Sequence, residues 1–348
     1  MTIKVFDFFS GCGGTSCGFN KAGLDVAFGL DIDPDAAATF RLNFPGAAFH
    51  EGDICSLPTD ALATLIGPRR DPLLFSGCAP CQPFSKQNRQ RKKSDPRRKL
   101  LSEFARFVQA WLPEYVFIEN VPGMQKIRTA DGPLGGFTKL LSSLGYSVDI
   151  GIVPALWFGV PQTRERLVLL ASRIGTVGLP KPTHGTSKKP FATVQDWIAD
   201  LPPLQAGEES RDDPDHRAAH LSDLNLQRIK ATPEGGGRQH WPKELWLACH
   251  SDYSGHTDVY GRLSWAKPAA GLTTRCISYS NGRFGHPEQH RAISVREAAC
   301  LQTFPRKYRF IGSLESKARQ IGNAVPPEMA RAIGAHIRQF HARECRSD

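Results

Sequence analysis

Short apolar runs and stretches of helical spacing alternate through the first half of the chain. Ile3-Lys4-Val5-Phe6-Asp7-Phe8-Phe9 predicts a buried strand that breaks at Ser10-Gly11-Cys12-Gly13-Gly14 and leads into a helix reaching about residue 22. Val26-Ala27-Phe28-Gly29-Leu30 predicts a second strand ending in Asp31. Asp33 caps the next helix, with Pro34 at its first position. Gly52-Asp53-Ile54 reads as a further loop on the same edge. Asp71-Pro72 starts the strand Leu73-Leu74-Phe75, which runs into Ser76-Gly77-Cys78-Ala79-Pro80-Cys81-Gln82-Pro83-Phe84-Ser85. A helix over 100–111 follows, then the strand Tyr115-Val116-Phe117-Ile118 ending at Glu119-Asn120-Val121-Pro122. A helix near 135–144, a strand near 147–153 and the strand Leu167-Val168-Leu169-Leu170 complete the alternation. This order predicts an α/β fold with a parallel sheet and ligands at the strand ends.

After Ser172 the pattern changes. Residues 175–240 are rich in Pro, Gly, Ser and charge, as in Leu201-Pro202-Pro203 and Gly235-Gly236-Gly237. Strand-like runs near 258–263 and 271–277 predict a small, loop-rich, mostly β second domain. A helix over 293–301 has Ser294 as its cap and Glu297 three residues later, a capping box. The last segment, 322–341, is expected to return to the first domain beside the glycine turn, which makes that domain discontinuous.

The length of 348 residues leaves room for two domains, and 40 % hydrophobic with 22 % charged residues is ordinary for a soluble globular chain. No apolar run reaches the ~18 residues of a membrane span, and residue 3 already enters a strand where a signal peptide would need a basic and then an apolar region. The nine cysteines follow no framework spacing and read as reduced thiols in a cytoplasm. A net charge of +10 and a pI near 9.2 favour a polyanionic partner, nucleic acid before membrane, since no basic amphipathic helix stands out.

Candidate chemistry concentrates at the strand ends. Cys81 is a candidate nucleophile, because a thiolate is strongly nucleophilic even when sparsely populated. The Cys78-x-x-Cys81 spacing also fits a redox pair, or half a metal site; no second such pair and no His-x-x-x-His exists, which argues against zinc. The glycine turn departs from the dinucleotide fingerprint, having Ser16 where the third glycine would stand, yet Asp31 sits about 20 residues beyond it, placed to accept from ribose hydroxyls. Residues 86–99 carry Lys86, Arg89, Arg91, Lys92, Lys93, Arg97, Arg98 and Lys99 against a single acid, Asp95. Beside a nucleophile, such a run suits phosphates. Glu119 lies at the same sheet edge as Cys81, where a carboxylate can be a proton donor. Arg164 and Arg166 alternate, fit to hold a carboxylate, a phosphate or a base edge.

These residues together resemble the DNA cytosine-5 methyltransferases. The matches run in family order: Asp7-Phe8-Phe9-Ser10-Gly11-Cys12-Gly13-Gly14, Asp31, Asp53, Pro80-Cys81-Gln82-Pro83-Phe84-Ser85, Glu119-Asn120-Val121, Gln162-Thr163-Arg164-Glu165-Arg166 and Gln320-Ile321-Gly322-Asn323-Ala324-Val325. One departure is Gly77-Cys78-Ala79, where the family usually has Gly-Gly-Phe or similar.

The resemblance implies a Rossmann-like S-adenosyl-L-methionine methyltransferase domain over 1–174, completed by 318–348, and a target-recognition domain over 175–317. It implies a cytosine flipped out of double-stranded DNA, Cys81 adding to C6, Glu119 at N3 and the amino group, Arg164 at O2 and Arg166 in support. The cofactor would supply the methyl for C5, held by Phe9, Gly11, Gly14, Asp31, Ile32 (where the family often has an aromatic), Asp53, Ile54, Pro80, Leu100, Asn323 and Val325. DNA contacts would come from Ser85, Lys86, Arg89, Arg91, Thr274 and Arg283; loops 249–257 and 278–285 would read major-groove base edges, and Thr273 and Thr274 stand as phosphate contacts. No metal is implied. Expected surroundings are a bacterial cytoplasm, a monomer on the nucleoid, and a separate restriction endonuclease or an epigenetic role. A tRNA-methylating relative would usually carry Cys-Phe-Thr after the recognition domain, and none is found here. A non-catalytic DNA-binding relative leaves Cys81, Glu119 and Arg164 without a purpose. A thiol oxidoreductase on Cys78 and Cys81 leaves Glu119, the arginines and the basic run unexplained.

Overall fold

The computed structural model describes residues 2–79, 99–123, 132–247 and 258–347, without the side chains of the last two. Seven strands form one sheet: β1 (Lys4–Phe8), β2 (Asp25–Asp31), β3 (Ala48–Glu51), β4 (Leu73–Gly77), β5 (Tyr115–Asn120), β6 (Ser147–Pro154) and β7 (Glu165–Ser172), in the order β3-β2-β1-β4-β5-β7-β6. β1 to β5 run parallel, and β7 is antiparallel to both its neighbours. The strand order reverses between β1 and β4, where open α/β sheets leave a crevice beyond the carboxyl ends. Phe8 at the end of β1 lies opposite Leu30 and Gly77, so the glycine turn opens at that crevice.

Helices α1 (Gly14–Lys21), α2 (Pro34–Asn43), α3 (Ala63–Ile66), α4 (Leu100–Trp111) and α5 (Pro133–Ser143) connect the strands. α2 begins as expected, with Asp33 accepting from the N–H groups of Asp35 and Ala36. β1, β4 and β5 are covered on both faces, which is why they read as nearly unbroken apolar runs. Phe8 packs among Phe28, Phe75, Phe104 and Phe107, with ring centroids 4.9–5.9 Å away. Each fully buried phenylalanine is worth about 1.5–3 kcal/mol of transfer free energy.

The chain divides into two units. The first comprises 1–154, 165–182 and 325–348; the second comprises 155–164 and 183–324. The boundaries lie elsewhere than at 174 and 318. Segment 155–164 leaves the sheet between β6 and β7 and belongs with the second unit. The first unit is completed by α10 (Pro327–Ser347), which packs on α1. Gly18 is the point of closest approach: a Cβ there would overlap the Pro327 carbonyl.

The second unit holds α6 (Gln195–Ile198), α7 (Asp223–Lys230), α8 (Val295–Leu301) and α9 (Leu314–Asn323). It is loop-rich, as its composition predicts. The capping box forms, Ser294 accepting from Glu297 N–H while Glu297 accepts from Ser294 N–H. The strand-like runs at 258–263 and 271–277 do not become strands; isolated bridges such as Arg262 with Gly285 replace them. The reason is visible at Arg262, which is buried and whose guanidinium donates to the carbonyls of Ile229, Thr232, His286 and Gln289 and to His290 Nδ1. Backbone groups that a neighbouring strand would satisfy are satisfied by a side chain. Among the described residues no helix is long and apolar enough to cross a membrane.

Candidate active site

At the carboxyl edge of the first unit's sheet, the backbone turns through left-handed conformations at Phe9 (φ 59°), Gly11 (φ 53°) and Gly13 (φ 89°) before entering α1. Ser10 N–H donates to Leu30 O at 2.9 Å, tying the turn to β2. The Asp31 carboxylate completes the tie: Oδ2 accepts from Gly11 N–H at 2.8 Å and Oδ1 from Asp33 N–H at 2.9 Å. Burial pushes the Asp31 pKa up, and these N–H groups hold it back. Carboxylate oxygens have lone pairs to spare for ribose hydroxyls. A Cβ built on Gly11 meets nothing within 4 Å, so the turn borders open space. Ile32 is 67 % exposed at the same edge, an apolar surface suited to a flat ring. This donor set and cradle fit the adenosyl part of S-adenosylmethionine.

Other predicted cofactor residues are placed unevenly. Phe9 and Leu100 are half-buried against the core, Gly14 is buried in the first turn of α1, and Val325 is buried in the first unit. Asp53 Oδ1 accepts from Cys55 N–H at 2.9 Å in a local turn, while its residue stays exposed. Ile54 is 1 % exposed and packs in the main core. Asn323 ends α9 in the second unit and is exposed.

Pro80 and Cys81, with Ser85, Lys86, Arg89 and Arg91, lie outside the described residues. The chain leading to them is well defined. Gly77 has no room for a side chain: a Cβ would stand 2.9 Å from Ile118 Cδ1 and 3.0 Å from Phe104 Cε1. Asn120, at the end of β5, donates from Nδ2 to Ala79 O at 3.1 Å and accepts from Val121 N–H at Oδ1. It thus holds the residue just before Pro80-Cys81. The sequence reading gave Asn120 no role of its own, although the Glu-Asn-Val run contained it.

Cys78 is half-buried, its sulfur 3.6 Å from Thr15 Oγ1. Burial, then the Glu119 and Asp7 carboxylates, pushes its thiol well above the ordinary range. A thiol so hard to ionise is a poor redox partner, which weakens the Cys78–Cys81 alternative. Asp7 is a second group the sequence reading passed over. It is fully buried in β1, accepts from Ser16 Oγ at 2.6 Å, and burial pushes its pKa up to about 6.

Glu119 and Arg166 come together. Glu119 is buried on β5, opposite Val168, and its Oε1 is 2.7 Å from Arg166 Nε on β7. Arg164 precedes β7, belongs to the second unit, is 5 % exposed, and donates from Nη1 to Leu272 O at 3.1 Å and Gly322 O at 3.0 Å. Gln162 helps there: Nε2 donates to Leu301 O and Gln302 Oε1, and Oε1 accepts from Leu272 N–H. In the same unit Thr274 is exposed. Arg283 is less available than expected for a base reader, because Nε pairs with Asp258 and Nη1 donates to the carbonyls of Gly235, Gly236 and Arg262. Loop 249–257 lies outside the described residues.

Comparison with known proteins agrees with this geometry. The chain is 40 % identical to the Type II methylase M.HgiDII of Herpetosiphon aurantiacus, over 98 % of this chain and 96 % of that one. It is 33 % identical to the Type II methyltransferase M1.HphI of Haemophilus parahaemolyticus, over 99 % and 89 % of the two chains. Its fold is that of a prophage-encoded DNA modification methyltransferase candidate of E. coli, with a TM-score of 0.77 at 23 % identity, covering 98 % of this chain and all of the other. Residues 3–339 match the family of C-5 cytosine-specific DNA methylases, and with a relative so similar over nearly its full length the chain belongs to that family.

Proposed function

We propose that the protein methylates C5 of a cytosine flipped out of double-stranded DNA, through a covalent bond between Cys81 and C6. The observation that carries this reading is the buried Glu119–Arg166 pair beside Asn120, which holds the Ala79 carbonyl one residue short of Pro80-Cys81. C5 of cytosine is a weak nucleophile. Addition of the Cys81 thiolate to C6 makes C5 enamine-like. Glu119 hydrogen-bonds N3 and the exocyclic amino group as charge develops there, and Arg166 fixes its orientation. Arg164 serves the O2 side of the base and also staples Leu272 to Gly322. When bound, S-adenosylmethionine supplies an electrophilic methyl group; Asp31 takes its ribose hydroxyls, Ile32 faces its adenine and Gly11 lets it approach the backbone. Loss of the C5 proton and elimination of Cys81 restore the aromatic ring. The base must leave the stack for any of this to occur. The second unit reads the target sequence. The Type II names of the two relatives support a place in restriction–modification, with any endonuclease acting separately.

Two measurements test this. Bisulfite sequencing of DNA from cells expressing the protein is expected to show methylated cytosine in one sequence context; methylation confined to tRNA would overturn the DNA assignment. Cys81→Ser is expected to lower turnover by more than about a hundredfold with S-adenosylmethionine affinity nearly unchanged. Cys78→Ser should remain active. A dead Cys78→Ser beside an active Cys81→Ser would reverse the assignment.

A further inference from the structure

We propose that Arg275 and Arg319 form a clamp for one phosphodiester of a DNA strand, a site that rests on the DNA-methylating reading above. Both line a cavity of about 380 Å³ within the second unit. The buried, apolar Ile277 and Ala318 and the hydroxyl-bearing Thr274 and Ser278 line it as well. Arg275 and Arg319 are both exposed, and they come from parts of the chain 44 residues apart, one in an irregular turn and one on α9.

What makes this a built site is how firmly the turn is fixed to α9. Arg164 bridges the carbonyls of Leu272 and Gly322. Gly322 has no side chain because a Cβ would overlap the Thr273 carbonyl. Cys276 Sγ donates to Ala318 O at 3.7 Å, and Thr273 Oγ1 accepts from Arg275 N–H at 3.3 Å. The backbone that carries Arg275 and Arg319 is therefore fixed from both sides before any ligand arrives, and an anion has only the two side chains left to order on binding. Hydroxyls beside two guanidinium groups match phosphate oxygens in charge and geometry. Glu315 also lines the cavity and opposes an anion, so its removal should strengthen binding.

The test measures affinity for a target duplex and a duplex lacking the target, across a salt series, together with methylation kinetics. Arg275→Ser with Arg319→Ser is expected to flatten the log–log salt slope by about 0.9, the change for one lost phosphate contact. Affinity should fall equally for both duplexes, and the loss in kcat/KM for DNA should sit in KM. Arg275→Lys with Arg319→Lys should keep the slope, which separates charge from folding. Glu315→Gln should raise affinity for both duplexes. An unchanged slope in a Ser double variant that methylates normally overturns the clamp and leaves the methylation reading intact. A loss confined to the target duplex also overturns it, by making these residues base readers. A wild-type protein that neither binds nor methylates duplex DNA overturns the underlying reading and the clamp with it.

Discussion

In the first unit the sheet carries the backbone hydrogen bonds of the core; in the second, arginine side chains carry many of them. Among the described residues the buried arginines are Arg164, Arg228, Arg262, Arg291 and Arg296, and all five belong to the second unit. Arg262 serves four carbonyls and Arg164 two. Arg291 forks onto Glu297 at 2.7 Å through both terminal nitrogens, and Arg296 reaches Asp213, Asp215 and the Tyr308 carbonyl. A buried carbonyl must be paired with something. A strand pairs it with another strand whatever the side chains are. A guanidinium pairs it only where that one residue sits, but five donors on a long stem let it fix loops of irregular shape. The lesson is that a unit with few ladders can still be rigid, provided its loops are pinned by a few irreplaceable residues.

Replacing Arg262 with Met would strain this comparison most. The Ile229 and Gln289 carbonyls keep a backbone donor in Thr232 N–H and Arg291 N–H, while those of Thr232 and His286 lose the Arg262 donor; at about 1–3 kcal/mol for each buried group left unpaired, the second unit should lose about 2–6 kcal/mol. Hydrogen exchange is expected to speed up across 183–324 and to remain slow in β1, β4 and β5. Unchanged protection in 183–324 would show that the arginines decorate a unit held by other means. Arg291→Met comes next, at about 3–5 kcal/mol, because it strands the fully buried Glu297; the double variant Arg291→Met, Glu297→Leu should recover much of that loss in urea melts. Burial raises the Glu297 pKa, but Arg291 outweighs it and holds the group below its usual value. The pair's contribution is therefore present above the unfolded carboxylate pKa and is lost as pH falls through the folded one.

The smallest effect has the opposite sign and sits in the sheet. Burial lifts the Asp7 pKa from 3.8 to about 6. The folded state binds the proton more tightly, so stability declines as pH rises from 3.8 towards 6 and stays lowered above that. Asp7→Asn should remove this dependence and raise stability near pH 7.5 by up to about 3 kcal/mol, read from melts across pH. A variant less stable than wild type at pH 7.5 would mean that the Ser16 contact needs the charge.

The first unit was legible because its signals are local. Apolar runs, the glycine turn and the Asp33 cap each report on their own segment, and every strand predicted in 1–172 is present. The Ser294–Glu297 box was legible for the same reason. Residues 258–263 and 271–277 misled because an apolar run predicts burial, while a strand also needs a partner edge, and here Arg262 and Arg164 took that place. Arg164 and Arg166 are two residues apart, yet the boundary between the units falls between them, which spacing alone does not reveal. Asp7 and Asn120 were hidden in plain motifs, since their importance lies in what they touch across the sheet.

The seating of α10 on α1 bears on how the polypeptide is made. α1 ends at Lys21 and α10 starts at Pro327, so α1 leaves a ribosome some 300 residues ahead of its packing partner. At about 5–20 residues per second that is roughly 15–60 s during which the face around Gly18 and Phe19 has no cover. The second unit, encoded almost wholly between the two helices, emerges in that interval and can fold first. Newborn chains therefore spend their synthesis with one half finished and the other waiting for its last twenty residues, the stage at which chaperones would have most to hold.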